Sequence, residues 1–176
     1  MNQQVNPMKF DTQTVQTMFQ SPLGPVILAA TDRGLAGVWF EGQRHLPDRT
    51  GWRVDDRHPV LVRAVQQLIE YFAGARTVFD LPLDLHGGTA FQQSVWQALL
   101  RIPRGTTTSY GALGLGLGKP AAVRAVGAAV GRNPISVIVP CHRVIGSDGS
   151  LTGYAGGLDR KVALLELEAA LPGSLV

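Results

Sequence analysis

Two short apolar runs, Val26–Ala30 and Leu35–Phe40, flank the polar stretch Thr31-Asp32-Arg33-Gly34. Apolar runs joined by a turn of this kind predict a β-hairpin. Ser21-Pro22-Leu23-Gly24-Pro25 punctuates its entry. From Pro59 to Ala73 the apolar positions change period: Leu61, Val62, Val65, Leu68, Ile69 and Phe72 follow helical spacing. Pro59 suits the first turn of that helix and Gly74 its C-terminal end. Phe79–Leu85 reads as extended, and His86-Gly87-Gly88 as a linker.

Beyond the linker the pattern is mostly helical. Thr89-Ala90-Phe91-Gln92 has the form of a capping box. Phe91, Val95, Trp96, Leu99 and Leu100 then give one apolar face, and Ile102-Pro103-Arg104-Gly105 ends the helix. Ser109 can cap a short helix to about Leu117. Gly118-Lys119-Pro120 reads as a turn with Pro at N1 of a second, alanine-rich helix over Ala121–Val130. Two short helices joined by a glycine-containing turn predict a helix-turn-helix. Ile135–Val139 is apolar and β-branched, the pattern of a buried strand, and Asp159–Ala170 reads as a last helix. With 176 residues the chain is one ordinary domain or two small ones.

Composition narrows this picture. Hydrophobic residues make up 45% and charged residues 16%, enough for a core and unlike a disordered chain. No window holds about 18 consecutive apolar residues, so no membrane partner is expected. Met1–Gln20 is polar and lacks an apolar run, so no secretory signal is expected. The lone cysteine, Cys141, can form neither an internal disulfide nor a Cys₄ zinc site, and a reducing, cytoplasmic setting fits it. The net charge is +3. No acidic residue lies between Asp84 and Asp148, whereas Arg101, Arg104, Lys119, Arg124, Arg132 and Arg143 do. An acid-free basic stretch is either a solvated face or a surface for a polyanion.

A single cysteine is most often a small buried hydrophobe. Three neighbours of Cys141 favour chemistry. His142 can take a thiol proton, and Arg143 adds positive charge that favours the thiolate. Pro140 ends any strand there, and a turn is needed because adjacent strand residues face opposite ways. A thiolate in a basic, helix-turn-helix chain suits attack on a DNA base drawn out of the stack. Two other readings stay open on the residues alone: a DNA-binding regulator without transfer chemistry, and a cysteine hydrolase.

Pro140-Cys141-His142-Arg143-Val144-Ile145-Gly146 resembles the active-site signature of the O6-alkylguanine-DNA alkyltransferases, the methylated-DNA–protein-cysteine methyltransferases. Phe91-Gln92, Val95-Trp96, Ile102-Pro103, Ser109-Tyr110-Gly111, Arg124-Ala125-Val126-Gly127, Asn133-Pro134 and Leu151–Leu158 resemble that family in the same order. The resemblance is close over about residues 89–168. It is looser before, resting on Ser21–Pro25 and Tyr71-Phe72-Ala73-Gly74.

The resemblance implies an α+β fold: a small RNase H-like N-terminal domain, 1–85, packed on a mostly helical C-terminal domain, 89–176, with the helix-turn-helix. It implies direct reversal of O6-alkylguanine damage in double-stranded DNA, one alkyl group per molecule, without cofactor or metal. Some family members hold zinc through cysteines in the first domain, which this chain lacks there; His45, His58 and His86 show no ligand spacing. Cys141 would accept the alkyl group, His142 would relay the proton through a water, Glu168 would polarise His142, and Asn133 would brace the turn. Tyr110 would hydrogen-bond guanine N3 and help turn the nucleotide out, while Arg124 would fill the vacated stack. The carbonyls of Cys141 and Val144 would accept from the exocyclic amine, Ala155 would donate its amide to O6, and Lys161 would support Tyr154. Ala121, Ala122, Ala125 and Ala129 would let their helix approach the minor groove, where readout is largely sequence-tolerant. A monomer is expected, with cooperativity on DNA left open. Without the resemblance Glu168 reads as a solvated helix residue, Arg124 as a phosphate contact and Tyr110 as half-buried packing.

One departure is Gly111-Ala112-Leu113-Gly114-Leu115-Gly116-Leu117-Gly118, where the family has alanine or other helix formers at several positions. Three interior glycines cost a helix about 3 kcal/mol relative to alanine. Gly114→Ala is expected to stabilise the chain if that position faces solvent or a gap.

Overall fold

A computed structural model describes residues 8–171. The outer ends of both expected domains, 1–7 and 172–176, lie outside the described residues, as do the first seven positions of the polar N-terminal stretch. The architecture is α+β, a four-stranded sheet followed by a mostly helical half.

The expected hairpin is present as β2 (Gly24–Thr31) and β3 (Gly34–Phe40). A further strand precedes it. β1 (Val15–Ser21) pairs antiparallel with β2 from Val15↔Ala30 to Ser21↔Gly24, and β4 (Arg53–Val54) runs parallel to β1, giving the order β3-β2-β1-β4. Strand alternation sends Val26, Leu28, Val38 and Phe40 into the main core. Ile27, Ala29 and Trp39 face the other way, where Phe10 and Trp52 cover them. The Trp39 indole lies over Gly37, where a methyl group would sit about 1.9 Å from the ring.

α1 (Pro59–Phe72) packs Leu61, Ala64, Leu68 and Tyr71 against the sheet, with Pro59 in its first turn as its sequence predicts. The Gln67 amide holds both backbone groups of Asp80. The extended segment after it is tied to β3, since Leu35 N donates to Pro82 O and Asp84 N to Leu35 O, both at 2.8 Å.

α2 (Ala90–Leu99) opens on the Thr89–Gln92 capping box. β5 (Thr108–Ser109) leads into α3 (Tyr110–Gly116), capped by the Ser109 hydroxyl on Ala112 N at 3.0 Å. α4 (Val123–Gly131) completes the helix-turn-helix. It starts later than its sequence suggests. Ala122 N donates to Lys119 O, closing a turn over Lys119–Ala122 that leaves Pro120 outside the helix. The Trp96 indole donates to Ala129 O at 2.8 Å and fixes α2 on α4.

Ile135–Val139 is not a strand. Only Ile135 bridges β3, through Val38 N to Pro134 O and Ser136 N to Val38 O. The chain then turns, with Val137 at φ 72°. The Asn133 side chain satisfies the backbone groups that a ladder would use: its Nδ2 donates to Val139 O at 2.7 Å and its Oδ1 accepts from Ile135 N at 3.0 Å. A 3₁₀ turn at Cys141–Arg143 follows, then β6 (Val144–Ile145), parallel to β5, and α5 (Leu158–Leu167). α5 stops short of the expected Ala170 because Ala169 adopts φ 54°. One hydrophobic cluster runs through both halves, from Val15 to Leu164. Among the described residues no helix is long and apolar enough to cross a membrane.

Candidate active site

Cys141 opens the 3₁₀ turn that Pro140 initiates, with its amide donating to Val139 O and its carbonyl accepting from Val144 N. The turn replaces the strand geometry that would send Cys141 and His142 to opposite faces. Cys141 is 6% exposed and lines a pocket of about 370 Å³ with Tyr110, Gly127, Ala128, Tyr154 and Ala155. Pairing of β5 with β6 sets Tyr110, the first residue of α3, beside the Cys141 segment. The Tyr110 ring also lies against Gly127 of α4. A separate cavity of about 380 Å³ on the Pro140 and Arg143 side of the turn has mostly apolar walls and no Cys141 among them.

His142 is fully buried and its Nε2 lies 2.9 Å from Glu168 Oε2. A carboxylate only accepts, so Nε2 carries the proton and Nδ1 keeps a lone pair. Nδ1 is buried with no hydrogen-bond partner among the described residues. Burial lowers the proton affinity of His142 against the opposing pull of Glu168, so the imidazole is neutral at rest. Glu168, at the C-terminal cap of α5, is buried rather than solvated. Arg143 grips it through Nε to Oε1 at 2.8 Å and Nη2 to Oε2 at 2.9 Å, and the Tyr71 hydroxyl donates to Oε2 at 2.6 Å. Burial opposes its ionisation, but the hydrogen bonds from His142 and Arg143 win and hold it well below the usual carboxylate range.

This overturns one sequence expectation. Arg143 neutralises Glu168 and donates to Ile102 O; it is not the cation that favours the thiolate. Burial pushes the Cys141 thiol up to about 11, and the opposing influences are Asn133 and Lys161. Lys161 is buried, with Nζ donating to Val144 O and Thr152 O at 2.7 Å and to Gly153 O at 3.3 Å. Burial lowers it to about 8. Lys161 therefore fixes the loop leading to Tyr154 and contributes no pocket wall. The Val144 carbonyl assigned to a guanine amine already accepts from Lys161, so one lone pair remains for a ligand. Tyr154 is packed in the pocket wall beside Ser136.

Of the residues expected to face DNA, Arg124, Ala121 and Ala125 are exposed and Ala122 is half-buried. Ala129 is not on that face: it is 2% exposed and its carbonyl holds Trp96. Ala128, one position earlier, is exposed and lines the pocket. The pocket also includes Arg132 of the basic stretch, and Arg44 and His45, which no local pattern places there. Arg44 N donates to Ala155 O at 3.0 Å, so the loop after β3 closes on the pocket. The basic stretch itself divides. Arg143 is internal, and Arg104 is half-buried, donating to Leu167 O and stacking on Tyr71. Arg101, Lys119 and Arg124 are exposed. Among the described residues no group of three or more His, Cys, Asp or Glu is arranged to hold a metal.

Residues 14–85 match the family model described as 6-O-methylguanine DNA methyltransferase, ribonuclease-like domain, and residues 90–170 match that of its DNA binding domain. The chain is 53% identical over 148 residues to the methylated-DNA–protein-cysteine methyltransferase of Mycobacterium leprae, covering 84% of this chain and 88% of that protein. It is 47% identical over 152 residues to the protein of the same name from Methanosarcina barkeri, covering 86% and 94%. Its structure is similar to that of Mycobacterium tuberculosis OGT in complex with DNA. The TM-score is 0.80 at 51% identity, covering 90% of this chain and 95% of that one.

Proposed function

The chain belongs to the 6-O-methylguanine DNA methyltransferase family, and on that footing we propose that Cys141 takes the alkyl group from O6-alkylguanine in duplex DNA, once per molecule. The activity is that of a methylated-DNA–protein-cysteine methyltransferase, a direct reversal of DNA damage. One observation carries the assignment of residues. A buried thiol lines a pocket sized for a small ligand, between a helix-turn-helix and a buried His–Glu pair.

The thiol proton passes through a water to His142, whose Nδ1 is the basic nitrogen. Sulfur forms a bond to the alkyl carbon, the bond from that carbon to O6 breaks, and guanine leaves as an anion. Tyr110 donates a hydrogen bond to guanine N3 and the Ala155 amide one to O6, both stabilising that anion. Asn133 holds the turn in shape. Because Cys141 is nearly inaccessible, a stacked base cannot reach it, and the nucleotide has to swing out of the duplex. Arg124 on exposed α4 fills the gap, and Ala121, Ala125 and Ala128 allow the helix close to the minor groove. Arg101 and Lys119 add sequence-tolerant, salt-sensitive attraction for phosphate. The sheet half and the helical half meet at the His86–Gly88 linker as two domains. The protein works as a monomer, and its free thiol suits a reducing, cytoplasmic setting.

The test is mass spectrometry after incubation with an oligonucleotide carrying O6-methylguanine. One methyl group is expected on Cys141, none with undamaged DNA, and a plateau at about one equivalent of substrate consumed. Turnover past that plateau would refute the reading. Cys141→Ser is expected to abolish transfer and leave DNA affinity nearly intact, because a hydroxyl is a far poorer nucleophile at neutral pH. A DNA-binding regulator would show no methyl transfer and would prefer one operator sequence.

A further inference from the structure

Glu168 receives one hydrogen bond that the transfer reaction as described leaves unused. It comes from Tyr71, near the end of α1 in the sheet half, 97 residues away in the chain. The Tyr71 ring is completely buried, packed against Phe72 and Phe79 and capped by the Arg104 guanidinium 5.4 Å from its centroid. Its hydroxyl shares Oε2 with His142 Nε2 and Arg143 Nη2, while Arg143 Nε takes Oε1. The carboxylate is therefore surrounded by four donor contacts from three residues. Packing alone does not require this hydroxyl: a phenylalanine would fill the same ring site.

We propose that Tyr71 is a positioning residue for alkyl transfer, acting through Glu168 to set the orientation and proton affinity of His142. This rests on the reading of His142 as the base. The physical argument is competition for one oxygen. Each donor on Oε2 withdraws negative charge from the carboxylate, and less remains to stabilise an imidazolium. The Tyr71 hydroxyl also fixes the plane of the carboxylate and hence the ring that Nε2–H addresses. With the hydroxyl removed, Glu168 holds His142 more strongly in its charged form, which cannot accept the thiol proton. The other groups facing His142 are Arg143 in its own turn and Lys161 from α5, both of which oppose its protonation. Cys141 precedes it, and Arg104 faces Tyr71 from beyond the carboxylate. Tyr71→Phe alters none of these residues and keeps the ring, so the change removes one hydrogen bond.

The experiment is the single-turnover rate of methyl transfer against pH, for the unmodified protein and Tyr71→Phe. The acid limb is expected to move to higher pH. The deficit on that limb is about two- to ten-fold, the worth of one hydrogen bond, and shrinks towards the plateau. The ¹⁵N shifts of His142 are expected to titrate in the same direction. Site-specific replacement of Tyr71 by 3-fluorotyrosine, a stronger donor of nearly the same shape, is expected to move the limb to lower pH. This arm decides the matter if Tyr71→Phe does not fold. An equal loss at every pH, an unchanged limb, or a limb that ignores fluorination would overturn the proposal. Failure of the unmodified protein to methylate Cys141 would instead overturn the functional reading beneath it.

Discussion

Gly114 and Gly116 lie two residues apart in α3, yet alanine should act on them in opposite directions. A methyl group at Gly116 meets nothing within 4 Å. The gain is the helix propensity alone, about 0.5 to 1 kcal/mol because Gly116 ends the helix, which raises the melting temperature by about 1 to 4 °C in a chain of this size. A methyl group at Gly114 would sit 3.2 Å from Lys119 O and 3.6 Å from Val126 Cγ2. Lys119 cannot easily give way, since its N–H donates to Gly114 O at 2.9 Å and its carbonyl accepts from Ala122 N at 3.0 Å. Overpacking costs about 1 to 3 kcal/mol and cancels or outweighs the propensity gain. Gly114→Ala is therefore expected to leave stability unchanged or lower it by up to about 2 kcal/mol. The condition attached to the sequence expectation, a position facing solvent or a gap, is not met at Gly114, which is buried where the helix-turn-helix folds back. Thermal melts of both variants measure this. A Gly114→Ala protein melting at or above Gly116→Ala would refute the packing argument. Hydrogen exchange gives a second measure, with amides 111–117 expected to exchange faster than 124–130.

Arg124→Ala is expected to slow transfer from duplex DNA far more than attack on free O6-benzylguanine, measured by single-turnover kinetics on both; equal losses would show that Arg124 takes no part in extruding the nucleotide. Glu168 gives a pH-dependent stability. Its folded pKa lies below the unfolded value of about 4.3, so its contribution is complete above that value and is lost as pH falls. Glu168→Gln leaves Arg143 buried without its counter-charge and is expected to cost about 3 to 5 kcal/mol in urea melts at neutral pH. It should also flatten the loss of stability between about pH 5 and 2; an unaltered acid profile would show that other carboxylates carry it.

The chain reveals in advance what depends on local interactions. The α1 period, the Thr89–Gln92 capping box and the Ser109 cap each lie within a few residues and form as expected. Misread segments have partners elsewhere. β1 alternates only weakly, with Met18 half exposed, and is made a strand by β2. Ile135–Val139 has a strand's composition, but one asparagine side chain supplies the hydrogen bonds of a turn. The site divides the same way. Cys141 and His142 draw attention as neighbours, whereas Glu168 stands 26 residues from His142 and Tyr71 97 residues from Glu168. Arg143 looks like a cation for the thiol because it is two residues away in sequence, until the fold supplies a buried carboxylate to claim it.

That reassignment changes how the thiol must work. Nucleophilic cysteines that rest as thiolates have pKa values of about 3.5 to 7.5. Burial pushes Cys141 the other way, up to about 11, so at pH 7 the protonated thiol predominates. The site keeps its sulfur protonated, and the cation that opposes this, Lys161, spends its three donors on backbone carbonyls. A neutral thiol can attack only if its proton leaves as the carbon–sulfur bond forms. In the proposed reaction the neutral His142, held through Nε2–H by an ionised Glu168, is the base for that step, and Glu168 offsets the charge that the imidazole gains. For a protein that consumes itself in one reaction, this division makes sense. On the proposed function, burial shields an irreplaceable sulfur from casual electrophiles and oxidants, and the His142–Glu168–Arg143 network gives the thiol proton a destination once a bound base offers both an alkyl carbon and a leaving group.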